Sequence, residues 1–326
     1  MGNTGDIVQK LWNLCKVLWH GGVTYHQYVN ELTYVLFLKM AEETGTENQI
    51  PAEYRWRKLC ALNGLEQLTF YRKLLIDLGS LGSPLVQAIF ANASTIITEP
   101  VTLTSLVSNI DELDWYSARE EGLGDLYEGL LEKNATESKR GAGQYFTPRP
   151  LIECIVELMQ PQSGEVVQDP AAGTGGFLII ADRYIKKHTD DLFTLKTSEQ
   201  DFQRRRAFQG MELVQDVHRL CLMNLMLHGI EGPVQLGNTL GPSGAGLPKA
   251  DLVLTNPPFG AQGGEAGSRE DFTYPTNNRQ LAFLQHVYRG LKPSGRAAVV
   301  LPDNVLFEDN TGQKIRTDLM NKCKLH

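Results

Sequence analysis

Asp251-Leu-Val-Leu-Thr-Asn-Pro-Pro-Phe259 is the stretch on which the reading of this chain turns. Asp251 to Leu254 reads as a short buried strand, and the chain then breaks abruptly. Neither proline has an N–H to give to a sheet ladder, so the strand stops there. Asn256 and Pro257 each precede a proline and are thereby pushed into extended geometry. The expected result is a stiff platform at the C-terminal end of a strand. It presents the Asn256 side-chain oxygen, the Pro257 carbonyl oxygen and the Phe259 ring. Two acceptors can take the hydrogens of a planar amine while the ring stacks on its π-face. A strand ending in a proline-rich turn accounts for the same residues, so the choice rests on what surrounds them.

Working outward, strands alternate with helices. Glu165–Gln168 reads as a first strand, followed by a helix to about Lys187. Ala207–Met211 is a second strand, with Leu213, Val217, Leu220, Met223 and Leu227 at helical spacing behind it. Val234–Leu236 is a third strand, the Asp251 segment a fourth, Leu281–Leu291 a helix and Arg296–Leu301 a fifth strand. This alternation predicts an α/β fold with a doubly wound, mainly parallel sheet, whose ligands bind at the C-terminal strand ends. Upstream, Ile7, Leu11 and Leu14, then Tyr28, Leu32, Val35, Leu36 and Met40, recur at helical spacing, and no strand alternation is convincing before residue 131. The expected division is an all-α N-terminal domain over residues 1–135 and a catalytic domain over 136–326, with polar Lys133–Gly143 as linker or loop. After the linker comes Gln144-Tyr145-Phe146-Thr147-Pro148-Arg149 and an apolar helix, Leu151–Met159. Thr147 suits its N-cap and Pro148 its first position.

The strand ends carry the chemistry. Asp169-Pro-Ala-Ala-Gly173-Thr174-Gly175-Gly176-Phe177 is a βα turn in which backbone can approach a ligand closely. It lacks the Gly-x-Gly-x-x-Gly spacing of dinucleotide sites, and Asp169 would sit poorly beside a pyrophosphate. A nucleoside bearing an amino acid in place of phosphates fits better. Glu212, ending the second strand, is placed to accept both hydroxyls of a ribose. The loop from Gly260 to Asn277, with Gly260, Gly263, Gly264 and Gly267, reads either as a surface loop or as a lid over the platform.

These motifs resemble those of the S-adenosylmethionine-dependent amino-methyltransferases of DNA. With Gln144–Arg149 ahead of them, behind an acidic helical domain, the resemblance narrows to the DNA-adenine methyltransferase (modification) subunit of type I restriction–modification systems and covers essentially the whole chain. It implies a Rossmann-like class I methyltransferase fold and S-adenosylmethionine held by Gln144, Tyr145, Phe146, Thr147, Pro148 and Arg149, by Asp169 and Gly173 to Gly176, and by Glu212. Asn256, Pro257 and Phe259 would receive a flipped-out adenine of double-stranded DNA. Asn238 stands where relatives usually have an acid contacting the cofactor's adenine, which implies weaker cofactor affinity. The resemblance also implies a specificity subunit, which would choose the DNA sequence, a second modification subunit and a restriction subunit as partners.

Two other readings remain open. Protein-glutamine N5-methyltransferases use Asn-Pro-Pro and an aromatic on another planar amide, and a catalytically silent scaffold would bind only partners. Leu319–His326 reads as a helix running toward a strand that does not follow, so a chain lacking its last strands is expected. Composition sets wider limits. Residues 1–135 hold 10 Lys and Arg against 17 Asp and Glu, and residues 136–326 hold 21 against 21, so the net charge of −7 sits in the first part. Such a surface does not drive DNA binding by bulk electrostatics. Five scattered cysteines without a Cys-x-x-Cys pair read as reduced thiols of a cytoplasmic protein, and the seven histidines show no metal-ligand spacing. No apolar run approaches the length of a membrane span.

Overall fold

Residues 7–14, 25–137, 147–260 and 269–326 are described in the structure, a computed structural model. They fall into two units, residues 1–146 with 222–227, and residues 147–221 with 228–326. Among the described residues, no helix is long and apolar enough to cross a membrane.

The first unit is helical: α1 (7–14), α2 (Tyr25–Glu43), α3 (Trp56–Cys60), α4 (Gly64–Leu78), α5 (Pro84–Phe90), α6 (Pro100–Asp111), α7 (Trp115–Glu121) and α8 (Leu123–Glu137). Helix α2 is buried along nearly its whole length, from Tyr28 to Ala41, so it forms the axis of this core. Phe90 of α5 packs on it through Tyr34 and Phe37, with both ring centroids 5.5 Å away. Two charges are buried with it. Glu31 accepts hydrogen bonds from Tyr71 (2.6 Å), Thr95 (2.9 Å) and the Ile96 N–H (2.9 Å). Lys39 meets Glu43 at 2.7 Å, Glu42 at 2.8 Å and Asp111 at 3.1 Å. Buried charges persist only with such partners. Helix α8 runs to Glu137, so Lys133–Glu137, expected as linker, is helical; its polar residues continue a helix whose buried stripe is Leu126, Tyr127, Leu130 and Leu131. A groove of about 540 Å³ belongs to this unit, lined by Leu62, Leu65, Glu66, Thr69, Phe70 and Lys73, none of them a predicted site residue.

The second unit is built on five strands, β1 (Val167–Asp169), β2 (Phe208–Glu212), β3 (Val234–Leu236), β4 (Ala250–Thr255) and β5 (Leu291–Val299), in the order β3-β2-β1-β4-β5. All four pairings are parallel. The connecting helices are α9 (Arg149–Met159), leading into β1, then α10 (Gly176–His188), α11 (Thr197–Arg205), α12 (Gln215–Leu227), the short α13 (Pro242–Ala245) and α14 (Arg279–Gly290); α15 (Thr311–Lys322) follows β5. The crossovers run outward from β1 through β2 and β3, and from β4 to β5; with the right-handed sense that parallel crossovers take as a rule, the two sets of helices cover opposite faces. The doubly wound parallel sheet read from the sequence is thus the observed one.

Three local readings differ. Strand β5 begins at Leu291 rather than Arg296, because Leu291 pairs with Ala250 and Arg296 with Leu252, leaving Lys292–Gly295 as a bulge. A side chain at Gly295 would lie 2.9 Å from the Lys292 carbonyl and 3.1 Å from that of Ala250, so glycine suits the tight return. The last helix spans Thr311–Lys322, not Leu319–His326; Ile315 is its buried anchor, and Asp318 pairs with Lys322 at 2.7 Å. Thr147 does not cap α9. Pro148 holds the cap position, its carbonyl accepting from the Leu151 and Ile152 N–H groups at 3.0 and 3.2 Å.

Candidate active site at the ends of the central strands

Strand β1 lies beside β4, and the two lead away in opposite directions, so the sheet has its switch point between them. Asp169 ends β1, Glu212 ends β2, and Asn256 follows β4.

Asp169 is 1% exposed, and its carboxylate accepts the Ala171 N–H at 3.0 Å. Burial pushes its pKa up to about 7, against the pull of the Thr255 hydroxyl and the Ala171 N–H and with help from the Glu212 charge. The chain behind it turns through Gly173 (φ +54°) and Gly175 (φ +86°), left-handed positions that glycine takes at little cost. Half-buried Thr174 lies between them. Gly175 is the N-cap of α10, and a side-chain carbon at Gly176 would sit 2.9 Å from Ile152 of α9. The turn thus brings backbone and a helix N-terminus close to the switch point.

Glu212 binds that turn. One carboxylate oxygen accepts the Gly173 N–H at 2.9 Å and the other the Val214 N–H at 2.8 Å. Burial raises its pKa, and the N–H groups of Val214, Gly173 and Leu213 oppose the rise. A carboxylate offers about four acceptor positions, so capacity remains for ligand hydroxyls. Asn238 is exposed beyond β3, and its oxygen closes a local turn by accepting the Leu240 N–H at 3.0 Å. The adjacent Thr239 hydroxyl donates to the Pro170 carbonyl at 2.5 Å, tying the loop after β3 to the loop after β1.

The Asn-Pro-Pro-Phe segment follows β4 directly. Pro257 is buried, Pro258 is exposed, and the Phe259 side chain is 49% exposed, an open aromatic face. The Asn256 Nδ2 donates to the Thr147 hydroxyl at 3.1 Å. Among the described residues its buried Oδ1 has no hydrogen-bond partner, the costly state of an acceptor kept from water. Arg149, the first residue of α9, pairs with Glu153 at 3.1 Å. Gln144, Tyr145 and Phe146 lie outside the described residues.

Sequence reasoning missed three contributors. Thr255, fully buried, faces Asp169 from the neighbouring strand. Leu213, 63% exposed directly after Glu212, presents an apolar surface where a solvated strand end would favour polar residues. Arg269 belongs to the loop expected to be a lid. It is buried, forks onto Asp271 at 2.8 and 2.6 Å, donates to the Thr239 carbonyl at 3.1 Å and lies 2.5 Å from the His286 Nδ1. Tyr274 is fastened to Gln285 of α14 by a bond in each direction, at 2.9 and 2.8 Å. The segment from Arg269 to Asn277 is therefore anchored; the lid reading for residues 261–268 falls outside the described residues.

A parallel sheet in this order, with a glycine turn after β1, an acid after β2 and Asn-Pro-Pro-Phe after β4, defines a Rossmann-like class I methyltransferase fold. Residues 118–326 match the family described as N-6 DNA Methylase, and the chain belongs to that family. It is 57% identical to the type I restriction enzyme EcoKI methylase subunit of Escherichia coli K12, over 99% of this chain and 63% of that protein. The crystal structure of the EcoKI M protein aligns with a TM-score of 0.55 at 53% identity, covering 98% of this chain and 62% of that one. A chain from a study of assembly and conformational transition in the type I restriction–modification system aligns with a TM-score of 0.78 at 30% identity, covering 98% and 69%. The chain thus spans about 63% of the length of the EcoKI methylase subunit it matches.

Proposed function

We propose that the chain is the catalytic part of a type I restriction–modification methyltransferase that transfers a methyl group from S-adenosylmethionine to N6 of adenine in DNA. The observation that carries this reading is the Asn256 Oδ1, buried without a partner among the described residues, three positions before the exposed Phe259. An unsatisfied buried acceptor is tolerated where a ligand completes it. Adenine N6 is a planar amine with two hydrogens to give and a ring to stack, and it is a poor nucleophile because its lone pair is delocalised. Drawing its hydrogens toward Asn256 Oδ1 and the Pro257 carbonyl favours the pyramidal form that attacks. The base must leave the duplex, at a cost of a few kcal/mol, and stacking on Phe259 offsets part of that.

The residues fit S-adenosylmethionine. Glu212 retains acceptor capacity for ribose hydroxyls, Leu213 offers apolar surface, and the Gly173–Gly176 turn lets backbone approach. Buried Asp169 suits the cationic end of the methionine moiety, which supplies the charge that favours its ionised form. Gln144–Arg149 complete the assignment. Asn238 would meet the cofactor's adenine through its amide oxygen, which accepts the Leu240 N–H and keeps a second lone pair for another donor. The bound cofactor supplies an electrophilic methyl on a good leaving group, and the protein's part is to hold the amine in line. By likeness to its relatives the chain works with a specificity subunit, a second modification subunit and a restriction subunit, in the cytoplasm. Tritiated methyl transfer to DNA against a protein extract tests the substrate: label on DNA is expected, and label on glutamine of a protein would assign the platform to the other planar amide. Calorimetric titration with S-adenosylmethionine tests the cofactor; no heat from a folded chain would favour the silent scaffold.

A further inference from the structure

The Thr147 hydroxyl lies 109 positions from Asn256 in sequence, yet it is the partner of the Asn256 amide nitrogen at 3.1 Å. It is not spent on capping α9, where Pro148 holds that place. An asparagine amide can rotate by half a turn, exchanging its oxygen for an NH2 group. One orientation offers an acceptor to a target amine; the other points donors at its hydrogens, which repels it. A hydroxyl carries a single proton: once that proton is given to an acceptor of a bound ligand, the hydroxyl can only accept from Nδ2. That keeps Oδ1 on the far side, where it is buried and has no partner among the described residues.

We propose that Thr147 is a positioning residue that sets the orientation of the Asn256 amide, so that its oxygen faces the target amine. The proposal rests on the reading of the site as an amine methyltransferase and deepens it. Thr147 acts through Asn256, so its removal lowers turnover without removing the acceptor itself. Specificity follows too: an amide locked with its oxygen forward selects a group with hydrogens to donate and rejects one that only accepts.

The test uses the full chain with an oligonucleotide bearing an unpaired, extrahelical adenine. Thr147→Val keeps the shape and loses the hydroxyl, and Thr147→Ser restores it. For Thr147→Val, kcat is expected to fall about tenfold, the scale of one neutral hydrogen bond. The comparison is made at saturating S-adenosylmethionine, so that a change in cofactor affinity does not enter, and Thr147→Ser should recover most of the turnover. An aspartate at position 256 has two equivalent acceptor oxygens and no orientation to lose. In the Asn256→Asp background, therefore, Thr147→Val should cost less than about twofold, so the cycle is non-additive. Unchanged turnover in Thr147→Val, or the same tenfold loss in the aspartate background, overturns the proposal. Side-chain amide NMR separates the two levels of inference. The Asn256 NH2 resonances should shift in Thr147→Val and not in Thr147→Ser, whether or not methyl is transferred, and unmoved resonances overturn the proposal. Wild-type chain that binds cofactor but leaves the adenine unmethylated counts against the methyltransferase reading instead.

Discussion

Replacing Asn256 with alanine removes the buried oxygen while leaving the Glu212–Gly173 contact in place. Methyl transfer should fall by about 10²–10³, the usual cost of one contact made in the transition state. Calorimetric affinity for S-adenosylmethionine should stay within a few-fold, and equal loss of both would contradict the assignment. Glu212→Ala should act on the other side, weakening cofactor binding by roughly 2–3 kcal/mol. It also leaves the Gly173 and Val214 N–H groups without their carboxylate, so a lower melting temperature should accompany the loss. Asp169 gives a pH signature. Its folded pKa of about 7 lies above the ordinary 3.8, so between these values the unfolded chain binds fewer protons than the folded one. Stability attributable to Asp169 is therefore highest below about pH 4 and declines as pH rises toward 7, by on the order of 4 kcal/mol. Urea midpoints at pH 4.5 and 7.5 should show that Asp169→Asn lacks this decline relative to the parent; parallel pH profiles would refute it. The positions of Asp169 and Glu212 at strand ends, and of Asn256 just beyond one, were legible in the sequence to within a residue, because prolines follow Asp169 and Asn256 and helical spacing begins at Leu213. Thr147's partner was not, since a contact across 109 positions leaves no local pattern.

Among the elements, β1 and β2 meet with little slack. Asp169 and Gly210 are paired, and a side-chain carbon at Gly210 would lie 2.5 Å from the Asp169 carbonyl. Gly210→Ala should push the strand ends apart and cost about 1–3 kcal/mol, seen as a lower thermal midpoint together with weaker cofactor binding. Unchanged melting would show that the strands yield without strain. Arg269 is the anchor between the loop after the platform and the loop after β3. Arg269→Ala leaves Asp271 and Thr239 without their buried partner and should destabilise by roughly 3 kcal/mol, measured by denaturant unfolding. The strands were read to within two residues except at β5, where the Lys292–Gly295 bulge lets Leu291 pair early; a proline and a glycine in that stretch signal a break, not pairing on both sides of it. Arg269 itself sits among glycines and acids, where composition announces a loop and nothing marks a clamp.

At the scale of the whole molecule, the net charge of −7 lies in residues 1–135 and the remainder is balanced. Counterion release needs basic surface against phosphates, so the isolated chain should bind duplex DNA weakly and with a shallow salt dependence. Adding the specificity subunit should raise both affinity and salt slope, as read by fluorescence anisotropy from 50 to 200 mM salt; tight, steeply salt-dependent binding by the chain alone would contradict this. The helical first unit and the sheet of the second were legible as a division of period, 3.6 against alternation. The proposed partners rest on resemblance alone, because no single stretch of the chain encodes them. The most direct measurement is the identity of the methylated product. The chain, S-adenosylmethionine with a labelled methyl group, and an oligonucleotide carrying an extrahelical adenine are incubated, and the digested nucleosides are resolved by mass spectrometry. Label in N6-methyl-2′-deoxyadenosine, lost with Asn256→Ala, is the expected result. Label in another base or in protein, or equal labelling by Asn256→Ala, would contradict adenine-N6 transfer at this site.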